Sequence, residues 1–135
     1  MRSQPTVVYF IPSLADIISE LRFKQHESCY FCTTNQSLQL LAKKTINSDH
    51  PSQVSLQISS LVSMLSPETA YLVLLHNHPS QKTYPSRSDF DATQRLISLA
   101  ELLHFKVLDH IIVTQNDYFS FAEAGILEDI KNPYV

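Results

Sequence analysis

The chain has 135 residues, 44% of them hydrophobic, with 13 acidic against 10 basic side chains and a net charge of −3. That length and apolar content suit one compact domain with its own core, and the charge offers phosphate backbones no general attraction, so nucleic acid is not the expected partner. No apolar run approaches the roughly 18 residues of a membrane span, and the start, MRSQPTVVYF, lacks the basic region and long apolar stretch of a secretory signal, so a soluble, cytoplasmic protein is expected.

Residues 13–23, SLADIISELRF, predict a helix: Ser13 is placed to cap it, Asp16 lies in the first turn, and Ile17, Ile18 and Leu21 share a stripe. Residues 28–34 and 37–46 predict two strands around Asn35-Gln36, a hairpin without the usual glycine. The first of these strands carries both cysteines, Cys29 and Cys32. Three residues apart on a strand they point to opposite faces, and no second ligand pair lies near, so they are expected as small buried hydrophobes. After the loop NSDHPS, Leu56, Ser59, Leu61, Val62 and Leu65 fit a helix ended by Ser66-Pro67.

The next stretch, AYLVLLHN at 70–77, is a continuous apolar run of the kind found in a central strand covered on both faces. Ser86 and Asp89 then open a third helix, with Phe90, Thr93, Ile97, Ala100 and His104 on one stripe and Leu96, Leu99 and Leu103 widening it. In the following strand, LDHIIV, alternation groups Leu108, His110 and Ile112 and turns Asp109 the other way. His110 is expected as a core histidine or one behind a site. His26, His50 and His104 have no supporting spacing and are read as surface or helix-side residues.

Residues i and i+2 of a strand share a face, so His76 and His78 can point into one site while Asn77 turns away. A carboxylate in the first turn of the following helix can face back toward that strand end. Two imidazoles and one carboxylate would hold Zn²⁺ tetrahedrally and leave the fourth position for water, as catalytic zinc requires. Each piece also has a plainer reading. Ser86-x-x-Asp89 is close to a capping box, and a lone H-x-H is a weak metal signal. The letters HNH match a nuclease motif by accident, since that motif's residues are spread along a two-strand-and-helix unit.

The whole string, His76-x-His78, seven residues, Ser86, two residues, Asp89, resembles the H-x-H-x₇-S-x-x-D signature of the JAMM (MPN-plus) metalloproteases. HNHPS with PSRSD is most similar to the RadC branch, and VLDHIIVTQNDYFSFAEAGIL, residues 107–127, looks like the RadC carboxyl-terminal strand, hairpin and closing helix. The resemblance covers about residues 25–127 and implies one RadC-like JAB/MPN domain over residues 1–135. Its fold would be α/β, a mixed sheet flanked by helices in the JAMM/MPN, cytidine-deaminase-like arrangement.

By the same resemblance His76, His78 and Asp89 would be zinc ligands, and Ser86 would support the oxyanion. An upstream glutamate would hydrogen-bond the attacking water; Glu27 fits its place by analogy, with Glu20 and Glu68 as the other candidates. The implied activity is a zinc-dependent peptidase or isopeptidase acting on a peptide or protein. The alternatives are a noncatalytic binding module of a DNA-repair or mobile-element system, or a zinc hydrolase of a non-peptide bond such as a phosphoester.

Three departures from the RadC pattern stand out. Relatives carry Gly-Thr after the second strand and a glycine after HNHPS, where this chain has Lys44-Thr45 and Gln81. The only glycine is Gly125. Left-handed backbone positions are therefore expected on Asn, Asp or Ser, or to be replaced by another geometry. With about 25 residues before the match, the amino-terminal helix-hairpin-helix region of longer RadC proteins is expected to be lacking.

Overall fold

The computed structural model describes residues 4–46 and 54–131. In chain order the elements are α1 (Thr6–Phe10), α2 (Leu14–Arg22), β1 (Cys29–Thr34), β2 (Leu40–Ile46), α3 (Val54–Met64), β3 (Tyr71–Asn77), α4 (Arg87–Leu103), β4 (Lys106–Val113), β5 (Tyr118–Ser120) and α5 (Ile126–Lys131). The strands make one mixed sheet in the order β2-β1-β3-β4-β5. β1 is antiparallel to β2 and β3, β3 and β4 are parallel, and β5 returns antiparallel beside β4. A parallel pair needs a crossover connection, which α4 supplies.

β3 is central, as its apolar run predicts, and Leu72, Val73, Leu74 and Leu75 are all buried. Val73 and Leu75 join one core with Ile11, Leu14, Ile18 and Leu21, under α2. Leu72 and Leu74 join the other, with Leu61 of α3 and Leu96, Ile97 and Ala100 of α4. Helices thus cover both faces of a mixed sheet in a single small α/β domain, the fold class expected. The stripe of α2, Leu14, Ile17, Ile18 and Leu21, is buried along its length. Removing those four side chains from water contributes roughly 6–12 kcal/mol before the entropy of ordering them. Cys32 lies in the α2 core and Cys29 packs against the α4 core, so the two thiols do face opposite ways.

Several local expectations are corrected. Ser13 makes no side-chain cap and is itself helical in conformation, because the turn from α1 already binds the Leu14 and Ala15 N–H groups to the Ile11 and Pro12 carbonyls. The hairpin turn is not two residues long. It spans residues 35–39, where Asn35 Oδ1 accepts from the Ser37 and Gln39 N–H groups and Leu38 takes φ 65°, so β2 starts at Leu40. Among the described residues positive φ falls on Gly125 and on Leu38, Gln81 and His104, none of them Asn, Asp or Ser. His104 ends α4 in that conformation, so it and the 40% exposed Leu103 drop out of the predicted stripe. Val62 is exposed beside buried Leu61.

Leu108 also leaves the face predicted for it. Leu72 pairs with Val107 and Val73 with Asp109, so Leu108 is an extra residue in a bulge, and it packs with Ile111 and Val113 on the α2 side. The predicted loop at 47–52, with His50, lies outside the described residues. None of the described helices is long and apolar enough to cross a membrane.

Candidate metal centre

Alternation along β3 hands successive residues to opposite faces. Leu74 packs toward α4, so His76 follows it there; Leu75 packs toward α2, so Asn77 follows it. His78 lies just past the strand, tied back by its N–H to the Val113 carbonyl at 3.0 Å. Its ring meets that of His76 edge-on, with centroids 4.8 Å apart.

Asp89 arrives from the first turn of α4. Ser86 Oγ accepts from the Asp89 N–H at 3.1 Å, and Asp89 Oδ2 accepts from the Ser86 N–H at 2.8 Å, a complete capping box. The same carboxylate places Oδ1 3.4 Å from His76 Nδ1 and Oδ2 3.2 Å from His78 Nε2. Cap and site are therefore two uses of one side chain.

Glu27 enters just before β1, whose first residue, Cys29, pairs with His76. Its Oε1 lies 2.8 Å from His76 Nε2 and 3.9 Å from His78 Nε2. The other glutamates are elsewhere: Glu20 accepts from the Tyr30 hydroxyl, and Glu68 sits in the turn before β3, at the opposite end from the histidines.

What holds Glu27 there is Asn77, which the spacing only turned away. This residue is 2% exposed. Its Oδ1 accepts from the Ser28 N–H at 2.6 Å, and its Nδ2 donates to the carbonyls of Lys24 and His26 at 3.1 and 3.0 Å. The segment on either side of Glu27 is thereby fastened to the histidine strand. The available signal was an amide at the end of an apolar run, since a buried amide must find partners.

Exposure separates the four side chains: Asp89 is 9% exposed, His78 11%, His76 13% and Glu27 41%, so Glu27 stands at the mouth. Burial alone would raise the pKa of Asp89, but the hydrogen bond from His78, the His76 charge and the Ser86 N–H carry it well below the usual carboxylate range. The bond to His76 lowers that of Glu27 against the opposing effect of burial. Burial opposes charge on His78 too, yet Asp89 and the Lys82 carbonyl outweigh it and raise its pKa. Its Nδ1 lies 2.8 Å from that carbonyl and donates to it, which leaves Nε2 of the neutral ring as the nitrogen able to ligate a metal.

This donor set fits zinc. Imidazole and carboxylate are donor types that zinc takes, and Asp89 approaches the two histidines through different oxygens, Oδ1 3.4 Å from His76 Nδ1 and Oδ2 3.2 Å from His78 Nε2. Glu27, His76 and His78 also bring one donor atom each within 4.8 Å of one another. That compact trio contains Glu27 and leaves out Asp89, whereas the resemblance assigns Asp89 as a ligand and Glu27 as the base.

A further layer lies behind them. The Thr93 hydroxyl donates to the Asp89 carbonyl at 2.7 Å and accepts from His110 Nδ1 at 2.7 Å. The His110 ring stacks on Phe121 and lies 6.1 Å from that of His76. Burial pushes its pKa down to about 3, so it supports the site as a neutral ring. Burial likewise raises both thiols, that of Cys32 to about 12, which keeps them protonated and inert.

Gln81 answers the missing glycine. It keeps φ at 69°, with its Oε1 accepting from the Gln115 N–H and its Nε2 donating to the Pro79 carbonyl. The loop after the histidines thus retains a left-handed residue without glycine, at a strain of about 1–2 kcal/mol offset by side-chain bonds.

The sequence model of the RadC-like JAB domain matches residues 11–126. A UPF0758 protein of Pseudomonas savastanoi is 37% identical over 116 residues, covering 81% of this chain and 49% of the relative. UPF0758 protein YfjY of Escherichia coli is 38% identical over 94 residues, 69% of this chain and 59% of the relative. One from Aquifex aeolicus is 45% identical over 56 residues, 42% of this chain and 24% of the relative. The chain spans about half the length of the curated relatives it matches. It belongs to the RadC-like JAB domain family.

Proposed function

We propose that this RadC-like JAB domain is a zinc-dependent peptidase or isopeptidase. The observation that carries the reading is the convergence of two imidazoles and two carboxylates at the carboxyl end of β3 and the amino end of α4. His76, His78 and Asp89 would hold the ion, with Glu27 and Ser86 acting on the substrate. Zinc, when bound, would supply a water of pKa lowered toward about 7 and polarisation of the amide carbonyl.

Glu27 does the proton transfers. As a carboxylate it is ionised at neutral pH, and its exposed position lets it take the proton of the attacking water. As the C–N bond breaks, Glu27 returns that proton to the leaving amine. The Ser86 hydroxyl accepts from the Asp89 N–H, so its own proton is free to be donated to the carbonyl oxygen as charge develops. One such bond is typically worth about 2.7–4 kcal/mol in the transition state.

Glu27→Gln separates base from ligand. The amide keeps the shape but cannot accept the proton, so zinc content should match wild type while hydrolysis of peptide and isopeptide substrates is lost. Loss of zinc together with activity would make Glu27 a ligand. Retained turnover would end its role as base.

A further inference from the structure

The loop that carries His78 also carries the most exposed aromatic side chain beside the site. Tyr84 is 72% exposed. Its ring lies 5.8 Å from that of Phe119 and 6.5 Å from that of Phe90, and both of those rest on buried Phe121. The ring is held in place by its surroundings: Gln81 ties the loop to the β4–β5 turn, His78 donates to the Lys82 carbonyl, and Pro85 is buried before the Ser86 cap.

This platform is continuous with the metal centre. His76 pairs with Ile112 and Ile112 with Phe119, so the two residues lie in one row across three strands. At about 4.8 Å per strand, the Phe119 backbone is about 10 Å from that of His76, the reach of roughly three extended peptide residues. A rigid, open aromatic surface at that distance costs little entropy to occupy and rewards an apolar side chain.

We infer that Tyr84, Phe119 and Phe90 form a specificity subsite for an aromatic or large apolar side chain two or three positions from the scissile amide. The subsite serves the amide hydrolysis proposed above, yet its occupancy can be read without turnover. Acetyl-Ala-Ala-Phe-Ala amide and acetyl-tetraalanine amide are titrated into the zinc-treated protein with its aromatic rings isotope-labelled for NMR, and hydrolysis is assayed separately.

The phenylalanine peptide should bind about tenfold or more tightly than tetraalanine and shift the Tyr84, Phe119 and Phe90 ring signals. Tyr84→Ala should abolish that preference with zinc content unchanged, and Tyr84→Phe should keep it. Equal affinities, shifts elsewhere, or an unchanged preference in Tyr84→Ala would overturn the subsite. So would the same shifts on raising protein concentration alone, or a stronger response to oligothymidylate, which would assign the platform to a second copy or to bases. Absence of hydrolysis with the ring shifts intact would count against the enzyme reading and leave the subsite standing.

Discussion

The two faces of the sheet are built from the same strand and do different work. On the α2 face, Val73 and Leu75 meet Leu14, Ile18 and Leu21 in an apolar core. On the α4 face, Leu72 and Leu74 begin the same way, but the row then turns to His76 and His78 and meets Asp89, Thr93 and His110. The α2 face supplies burial that any well-packed apolar set could supply. The α4 face surrenders part of its burial to polar groups whose positions are fixed by mutual hydrogen bonds, which makes it the half where chemistry is sited.

The largest effect that keeps the two faces apart is expected from Leu75→Ala. Leu75 is fully buried. Truncating it should cost about 2–5 kcal/mol in urea unfolding while leaving zinc per folded chain unchanged. Zinc loss in a variant that is still folded would break the separation of the faces.

Asp109 sharpens the comparison at the far side of β4. Burial holds its pKa up at about 6, although Ser120 Oγ and the Ala122 N–H donate to it. A pKa above the unfolded value of about 3.8 means that the folded state prefers the protonated acid. The associated stability is fully present below about pH 4 and is lost as pH rises through about 6. Two pKa units correspond to about 3 kcal/mol, so the stability of wild type relative to Asp109→Asn should fall by about that much between pH 4 and 7.5. Parallel pH profiles in urea unfolding would contradict this.

The smallest effect divides the two uses of the α4 cap. Ser86→Ala should lose about 0.5–2 kcal/mol of stability, and Ser86→Asp should restore most of it, because aspartate also caps. Hydrolysis should remain low in Ser86→Asp, since a carboxylate repels a developing oxyanion. Recovery of full turnover along with stability would reduce Ser86 to a cap.

The sequence was most informative where geometry is local. The i, i+2 spacing of His76 and His78 needs only the strand period, and Ser86-x-x-Asp89 needs only the first helical turn. Glu27 was different, because 49 residues separate it from His76 and only the pairing of β1 with β3 brings them together. Asn77 was read as turned away, which is correct, but its grip on the Glu27 segment depends on that same pairing. Leu38 and Gln81 were missed as left-handed positions because neither residue type favours that conformation. Leu108 was misplaced because alternation cannot reveal a bulge, and Ser13 because the Ile11 and Pro12 carbonyls between α1 and α2 already accept from the first N–H groups of α2.

One metal centre on the α4 face is the central expectation. Elemental analysis of protein purified without added zinc, wild type beside His78→Ala, measures it most directly. About one zinc per chain in wild type and almost none in the variant is the expected result; equal zinc in both, or none in wild type, would contradict it.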